Sequence, residues 1–255
     1  MFFLNKKFYK DTTPIGTIHN RGLMLGDGFF TTLKIKNKSP VFLELHLERL
    51  QNFCRITSMD FPVYLQINYV QQIIETLCYK NNLIDGSLRI SFFRTSPIRQ
   101  IRIPENSSVD CLITLSPLPS KPVSDLKIFI PAAKKNHTSP LCSVKTLNYF
   151  ESIIALEEAR TYGADDILWQ NFNNNFVDFS IGNLVIENHE GIFLSPPPTE
   201  GCLAGISLQT FEKPLIYTPI TKQDLLQAKT IYRTNSLTGF IKIDKDFLYK
   251  QLQKI

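Results

Sequence analysis

The sequence SPLPSKP at residues 116–122 divides this chain of 255 residues into two parts. Three of these seven residues are proline, which lacks a backbone N–H and is disfavoured in helix interiors and central strands. We therefore interpret the segment as a linker between two domains. Residues 1–115 form the predicted smaller domain, and residues 123–255 form the predicted larger one.

The smaller domain is expected to combine helices with strands. Residues 42–54 and 64–78 carry apolar side chains at helical spacing, which predicts two amphipathic helices. Residues 88–93 and 109–115 are short and rich in apolar and β-forming side chains, which predicts strands.

The larger domain is expected to have the same mixed character. A strand is predicted at 126–130, and a helix at 149–162 is predicted to end at Gly163. Several short strands follow, and two further helices are predicted at about 221–228 and 245–254. The chain is therefore predicted to be a two-domain α+β protein.

Composition and charge exclude several classes of protein. Hydrophobic residues make up 43% of the chain, which excludes disordered and fibrous proteins. The formal net charge is +5, but the basic residues are scattered, so no nucleic-acid partner is expected. Since no apolar run is long enough to span a bilayer, no membrane partner is expected either.

The cysteines indicate a reducing compartment. There are five, an odd number, and no two stand at CxxC spacing. Neither a disulfide framework nor a structural zinc site follows from this arrangement. The apolar N-terminal stretch is too short for a signal peptide. We therefore expect a cytoplasmic protein without a bound metal.

Lys145 has an unusual setting for a lysine. It lies in LCSVKTLNY at residues 141–149, a stretch of low charge that enters the helix predicted at 149–162. A lysine in partly apolar surroundings loses its charge more easily, and the neutral amine is a nucleophile. Lys145 is therefore a candidate for covalent chemistry.

Three further sequence features are weaker indications of an anion-binding site or a turn. Gly26-Asp27-Gly28 is typical of a turn before a strand. Arg49 either pairs on the surface with Glu44 or Glu48, or forms a fork that grips a phosphate. Gly205-Ile206-Ser207 begins a predicted helix, where free backbone amides favour an anion.

Together these signals resemble the class IV aminotransferase family, the fold-type IV pyridoxal phosphate enzymes. The motifs that carry the resemblance are GDG at 26–28, HLERL at 46–50, KTLNY at 145–149, GADD at 163–166, residues 178–183, GIS at 205–207 and TNSL at 234–237. They extend over nearly the whole chain. The family includes branched-chain and D-amino-acid aminotransferases and 4-amino-4-deoxychorismate lyase.

The resemblance implies a fold and a cofactor. It implies the D-amino-acid aminotransferase-like fold, with a small α/β sandwich domain and a larger β-barrel-like domain with helices. The implied cofactor is pyridoxal 5′-phosphate, and the implied partners are a small-molecule substrate and a second copy of the chain in a homodimer.

Residue by residue, the resemblance also implies cofactor ligands. Lys145 matches the family's imine-forming lysine, and Arg49 matches the arginine that binds the cofactor phosphate. Ile206, Ser207 and Ser236 match further phosphate ligands.

The cofactor ring has two implied ligands. Tyr149 matches a tyrosine that hydrogen-bonds the phenolic oxygen. Asp178 stands where the family has a glutamate that pairs with the ring nitrogen, and it is one methylene shorter. Leu208 and Gln209 stand where an arginine commonly follows the phosphate-binding turn.

Substrate contacts are implied at three positions. Thr31 lies directly after the Gly-Asp-Gly motif, and Arg94 and Arg99 are the candidate cations for substrate carboxylates. They lie in FFRTSPIR at residues 92–99, which replaces the glycine-rich interdomain loop of many relatives.

Within the family, residues 30–32 and 234–239 are most similar to the lyase. The implied reaction converts 4-amino-4-deoxychorismate to 4-aminobenzoate and pyruvate, a step of folate biosynthesis. The alternative is an aminotransferase of branched-chain or D-amino acids, a group in which glutamate is more frequent at the position of Thr31. A third hypothesis is a catalytically idle relative that binds the cofactor.

Overall fold

The structure, a computed structural model, describes residues 1–98, 100–120, 122 and 124–254. The chain forms two compact units. The first unit comprises Met1–Pro119 and Val144–Asn148, and the second comprises Ser120–Ser143 and Tyr149–Ile255. The short segment around Lys145 therefore belongs to the first unit, although the sequence placed it in the larger, second domain.

The first unit is built on a six-stranded antiparallel sheet with the order β2-β1-β6-β5-β3-β4. The strands are β1 (Phe2–Leu4), β2 (Lys7–Tyr9), β3 (Gly28–Lys36), β4 (Ser39–Pro40), β5 (Gly86–Thr95) and β6 (Ser108–Ser116). The strands predicted at 88–93 and 109–115 are thus confirmed as the inner parts of β5 and β6.

Three helices accompany this sheet, namely α1 (Arg21–Leu25), α2 (Leu43–Thr57) and α3 (Ile67–Asn81). Their apolar spacing explains the packing, because α2 buries Leu43, Leu47 and Leu50. Helix α3 begins three residues later than the sequence indicated. Residue Gln66, which precedes it, has an extended backbone with ψ of 149°.

The second unit is built on an eight-stranded sheet with the path β12-β11-β10-β9-β8-β7, and β13 joins β10 to β14. The strands are β7 (Ile128–Phe129), β8 (Asp166–Gln170), β9 (Phe176–Phe179), β10 (Asn183–Glu187), β11 (Phe193–Ser195), β12 (Leu215–Tyr217), β13 (Thr230–Asn235) and β14 (Gly239–Lys242). Because β10 pairs with β9, β11 and β13, the sheet branches at this strand.

The described part of the second unit contains four α-helices: α4 (Phe150–Thr161), α5 (Ile206–Gln209), α6 (Lys222–Gln227) and α7 (Lys245–Leu252). Helices α4, α6 and α7 lie where the sequence predicted helices. Gly163, just after α4, has φ of +68°, a backbone conformation that favours glycine. Leu225 of α6 and Leu248 of α7 are both fully buried in the core of this unit.

Both sheets curl into half-barrels, which confirms the predicted α+β fold of the fold-type IV enzymes. In the described ranges, no helix combines the length and the apolar character needed to cross a membrane.

Candidate functional site

The segment that carries Lys145 is held against the start of β3. The Phe30 amide donates to the Lys145 carbonyl at 2.9 Å, and the Leu147 amide donates to the Gly28 carbonyl at 2.9 Å. A Cβ atom at residue 28 would lie 2.5 Å from the Phe92 carbonyl oxygen and 2.6 Å from a Leu147 methyl carbon. Only glycine fits there, so the Gly-Asp-Gly motif is what lets the lysine segment approach the sheet.

The side chain of Lys145 lies beside an aromatic ring. Its Nζ is 4.9 Å from the ring centroid of Phe30, and the residue is half-buried. The guanidinium of Arg89 stacks on the same ring at 3.5 Å from the centroid, while its Nε donates to the Ser91 hydroxyl at 3.0 Å. Lys145 and Arg89 therefore share one aromatic platform.

The strand register explains why these residues meet. Phe30 pairs with Ser91 and Thr32 pairs with Arg89, and alternate residues of a strand share one side of a sheet. We call this side, with Phe30, Thr32, Arg89 and Ser91, the lysine face.

Sequence reasoning missed Arg89. The signal that would have found it is the alternation of apolar and polar residues along LRISF at residues 88–92. Its apolar members Leu88, Ile90 and Phe92 are fully buried, which leaves Arg89 and Ser91 on the opposite side.

The other side of the sheet packs against the helices, and we call it the helix face. It contains Thr31, Ile90, Phe92 and Arg94. The ring of Phe29 in β3 lies 5.5 Å from that of Phe53 in α2, centroid to centroid, which shows the packing directly.

Three polar side chains form a chain of hydrogen bonds on the helix face. Arg49 Nη2 donates to the Thr31 hydroxyl, and this hydroxyl lies 2.7 Å from His46 Nδ1. Burial, with a smaller contribution from the positive charge of Arg49, lowers the pKa of His46 to about 3. The imidazole is therefore neutral, and its Nδ1 shares a hydrogen bond with the Thr31 hydroxyl, whose oxygen also accepts from Arg49.

Thr31 was expected to contact substrate. The structure places it fully buried on the helix face, where its hydroxyl oxygen accepts from the guanidinium of Arg49. Its contact with substrate stays a prediction.

Arg94 also lies on the helix face, with only 2% of the residue exposed. Its Nη2 donates to the carbonyls of Thr57 and Ser58 at 2.8 and 3.1 Å, where α2 ends, and its Nη1 is 3.6 Å from the Asp27 carboxylate. These contacts make Arg94 a cap of α2. Arg99, the other predicted substrate cation, lies outside the described residues.

In the second unit, Asp178 lies in β9 opposite Asn183 of β10. It is buried, and its carboxylate oxygen Oδ1 is 2.6 Å from Nζ of Lys135. The acidic group that the family resemblance assigns to the ring nitrogen is therefore also paired with a lysine of this chain.

Helix α5 begins after Gly205, its N-cap residue, which has no side chain to cap the amides of Ile206 and Ser207. A Cβ at residue 205 would lie 1.9 Å from Oδ1 of Asn183. Asn183 in turn donates to the Leu203 carbonyl at 2.7 Å, so β10 holds this turn in place.

Ser236 lies in the turn between β13 and β14. The Asn235 side chain builds the turn by accepting from the amides of Leu237 and Thr238, each at 3.0 Å. It also donates to the Ile181 carbonyl at 3.1 Å. Tyr149 precedes the first residue of α4 and is half-buried.

These residues fit pyridoxal phosphate. Arg49 is a cation oriented by Thr31. Any side chain at position 205 would collide with Asn183, and Asp178 is a buried carboxylate of the second unit.

Comparisons with known proteins show which family of sequences and structures the chain is similar to. The sequence profile of the family described as Amino-transferase class IV matches residues 28–245. The bifunctional aminodeoxychorismate lyase / D-amino acid transaminase of Mycobacterium tuberculosis is 22% identical over 236 residues, which cover 84% of this chain and 79% of that protein.

Two solved structures show the same fold. A proposed 4-amino-4-deoxychorismate lyase from Legionella pneumophila has a TM-score of 0.82 and 24% identity, with 91% of this chain and 87% of that chain covered. The branched-chain aminotransferase of Thermoproteus uzoniensis, solved with norvaline, has a TM-score of 0.85 and 21% identity, with 95% and 85% covered. At such identities the likeness extends to the fold and not to the reaction.

Proposed function

The chain belongs to the class IV aminotransferase family, whose fold is pyridoxal phosphate-dependent, and on that premise we propose that it is an aminodeoxychorismate lyase. It would convert 4-amino-4-deoxychorismate to 4-aminobenzoate and pyruvate. The observation that carries the proposal is the pairing of Lys145 with Arg89 on the Phe30 ring. It sets an amine beside a cation, which suits a substrate with carboxylates.

Lys145 is the catalytic residue of the proposal. When bound, the cofactor supplies an electron sink for the carbon that bears the substrate amine. The amine of Lys145 holds the cofactor and then removes the proton from that carbon. The C–O bond to the enolpyruvyl group breaks, the substrate ring becomes aromatic, and the released enol takes up a proton to become pyruvate.

The remaining residues bind and orient. Arg49 would bind the phosphate, supported by its hydrogen bond to Thr31. The amide of Ile206 and the hydroxyls of Ser207 and Ser236 would complete the phosphate ligands. In addition, Tyr149 would hold the phenolic oxygen and Asp178 the ring nitrogen.

For the substrate carboxylates we propose Arg89 as the main cation, because its guanidinium lies on the lysine face. Arg94 is engaged by the end of α2, which speaks for a structural role. Arg99 remains a candidate from the sequence.

A homodimer is supported by an apolar patch on the first unit. Ile18 is 81% exposed, Leu23 72% and Ile101 81%. Arg21 of α1 donates to the Ile101 carbonyl at 3.1 Å, which brings the loop next to the helix. Apolar area of this kind is typical of surfaces that bind another protein, and sedimentation velocity measures the assembly directly.

A cytoplasmic location is part of the proposal. All five cysteines are free thiols, as expected for a protein of a reducing compartment.

The second candidate function is amino-group transfer between an amino acid and a keto acid. It is favoured by the likeness to the branched-chain aminotransferase and by the M. tuberculosis relative, whose name includes both activities. In this case, Lys145 would return the proton to the cofactor side instead. The third candidate is a relative that binds the cofactor without catalysing a reaction.

One assay separates these functions. The purified protein loaded with pyridoxal phosphate is incubated with 4-amino-4-deoxychorismate, and pyruvate and 4-aminobenzoate are quantified by chromatography. A parallel reaction offers D-alanine or L-leucine with 2-oxoglutarate and measures glutamate. The lyase produces pyruvate and 4-aminobenzoate in equal amounts. Glutamate alone would assign the aminotransferase, and no product in either reaction would assign the idle relative. Lys145→Ala is the blank.

A further inference from the structure

Lys135 lies on the second unit and reaches the buried carboxylate of Asp178. Its backbone amide donates to the Gln170 carbonyl at 2.8 Å, which anchors it beside β8. Its Nζ lies 6.0 Å from the ring centroid of Trp169 and 2.6 Å from Asp178 Oδ1. Two residues that are 43 positions apart in the sequence are thus joined by an ion pair.

The pair is shielded from solvent. The side chain of Asp178 is 10% exposed and that of Lys135 is 25% exposed, so solvent screens their attraction only in part. Among the described residues, the thiols of Cys142 and Cys202 also face the pair. Burial raises the pKa of both thiols, and the negative charge of Asp178 raises them further while Lys135 opposes this. Both thiols are therefore neutral, and Lys135 supplies the positive charge beside Asp178.

Resting on the proposed role of Asp178, we propose that Lys135 is a positioning residue that shares this carboxylate with the ring nitrogen of pyridoxal phosphate. A carboxylate has two oxygens and about four lone-pair sites, so it can accept from the ammonium and from a ring N–H at the same time. The ammonium fixes the orientation of the short aspartate side chain.

The charge of Lys135 should also shift the pKa of the ring nitrogen in a definite direction. It stabilises the Asp178 anion and disfavours a second positive charge next to it. The ring nitrogen therefore releases its proton at a lower pH than it would beside Asp178 alone. A nearby charge shifts a pKa by about 1–3 units, and we expect a shift at the lower end of this range, about one unit.

The test follows the ring nitrogen in the resting holoenzyme without substrate. Enzyme loaded with pyridoxal phosphate labelled with ¹⁵N at the ring nitrogen is titrated with pH, and the ¹⁵N chemical shift reports protonation. The variants Lys135→Met and Lys135→Gln should raise the midpoint by about one pH unit. Lys135→Arg, which keeps the charge, should stay at the wild-type midpoint.

Lys134 offers a matched control. It is the neighbouring lysine, is exposed, and donates to Asn174 rather than to Asp178. Lys134→Met should leave the midpoint unchanged. Lys135→Gln keeps an N–H donor for the carboxylate, so it preserves the fold even if Lys135→Met does not.

The outcomes separate this inference from the role of Asp178. If Asp178→Asn lowers the midpoint while both neutral Lys135 variants leave it unchanged, the inference about Lys135 is overturned and Asp178 keeps its role. If Asp178→Asn also leaves it unchanged, the proposed contact of Asp178 with the ring is overturned. Trp169 is the single tryptophan, so its fluorescence is the signal to use for measuring cofactor binding to each variant. Loss of binding in both neutral variants would contradict a positioning role.

Discussion

The two faces of the first-unit sheet differ in what holds their polar side chains, although they come from alternate residues of the same strands. On the helix face, Thr31 and Arg94 are buried and bonded to His46, Arg49 and the end of α2. On the lysine face, Thr32, Arg89 and Lys145 are half-buried.

The difference teaches how one strand serves two purposes. Side chains on the helix face are buried between the sheet and α2, whereas Arg89 and Lys145 on the lysine face are only half-buried. Because successive residues point to opposite sides, a slip of one residue in the register of β3 and β5 would exchange the two sets. Five measurements test this division.

The largest effect is expected at Lys145, on the lysine face. Lys145→Ala should reduce turnover by about 10²–10⁴-fold from the loss of proton transfer alone. Since the side chain is half-buried beside Phe30 and not in the core, the melting temperature should stay unchanged. Borohydride reduction followed by peptide mass mapping should find the cofactor on Lys145 in the wild type. A label on another lysine would overturn the assignment.

Arg49 is the cation that the helix face orients. Arg49→Ala removes a charge-assisted contact worth about 1.5–3 kcal/mol, so the affinity for pyridoxal phosphate should fall roughly ten- to hundredfold. Titration of the apoprotein measures it. An unchanged dissociation constant would show that Arg49 does not meet the phosphate.

Arg89 and Arg94 lie in the same strand on opposite faces and should give opposite phenotypes. Arg89→Met should lower kcat/KM about ten- to hundredfold by removing a carboxylate contact, with unchanged stability. Arg94→Met should cost about 3 kcal/mol of unfolding free energy, because it leaves buried carbonyls and Asp27 with fewer partners. Urea unfolding and steady-state kinetics on both variants make the comparison. Equal phenotypes would refute the division.

The neutral imidazole of His46 makes the helix face sensitive to acid. Its pKa is about 3 in the folded chain and about 6.5 when unfolded, so only the unfolded state takes up this proton between those values. The stability contribution is complete above pH 6.5 and is lost as the pH falls. From pH 6.5 to 4.5 the wild type should lose about 2.5 kcal/mol more than His46→Asn. The exposed His19→Asn variant is the control and should follow the wild type.

The smallest effect is expected at Thr31. Thr31→Val keeps the shape but removes the hydroxyl between Arg49 and His46, so cofactor affinity should fall by about two- to tenfold, as for a typical hydrogen bond. Thr32→Val, one residue further and on the lysine face, should leave cofactor affinity unchanged. A larger effect at Thr32 would mean that the faces are assigned the wrong way round.

Local patterns in the sequence predicted the main helices and strands and singled out Lys145 as a candidate for covalent chemistry. The spacing of Leu43, Leu47 and Leu50 specifies α2, because a helix repeats every 3.6 residues. The low-charge stretch at residues 141–149 already singled out Lys145. The ordered motifs implied the family and its cofactor, which the comparisons bear out.

Only the tertiary structure decided which cations are used inside the fold. Alternation puts Arg89 and Arg94 on opposite faces of one strand, but only the tertiary structure shows that one face meets Lys145 and the other meets the end of α2. The ion pair of Lys135 with Asp178 and the place of residues 144–148 in the first unit depend on contacts between segments far apart in the chain. Periodicity and residue type describe neighbours within an element, and they carry no information about which distant segment packs against it.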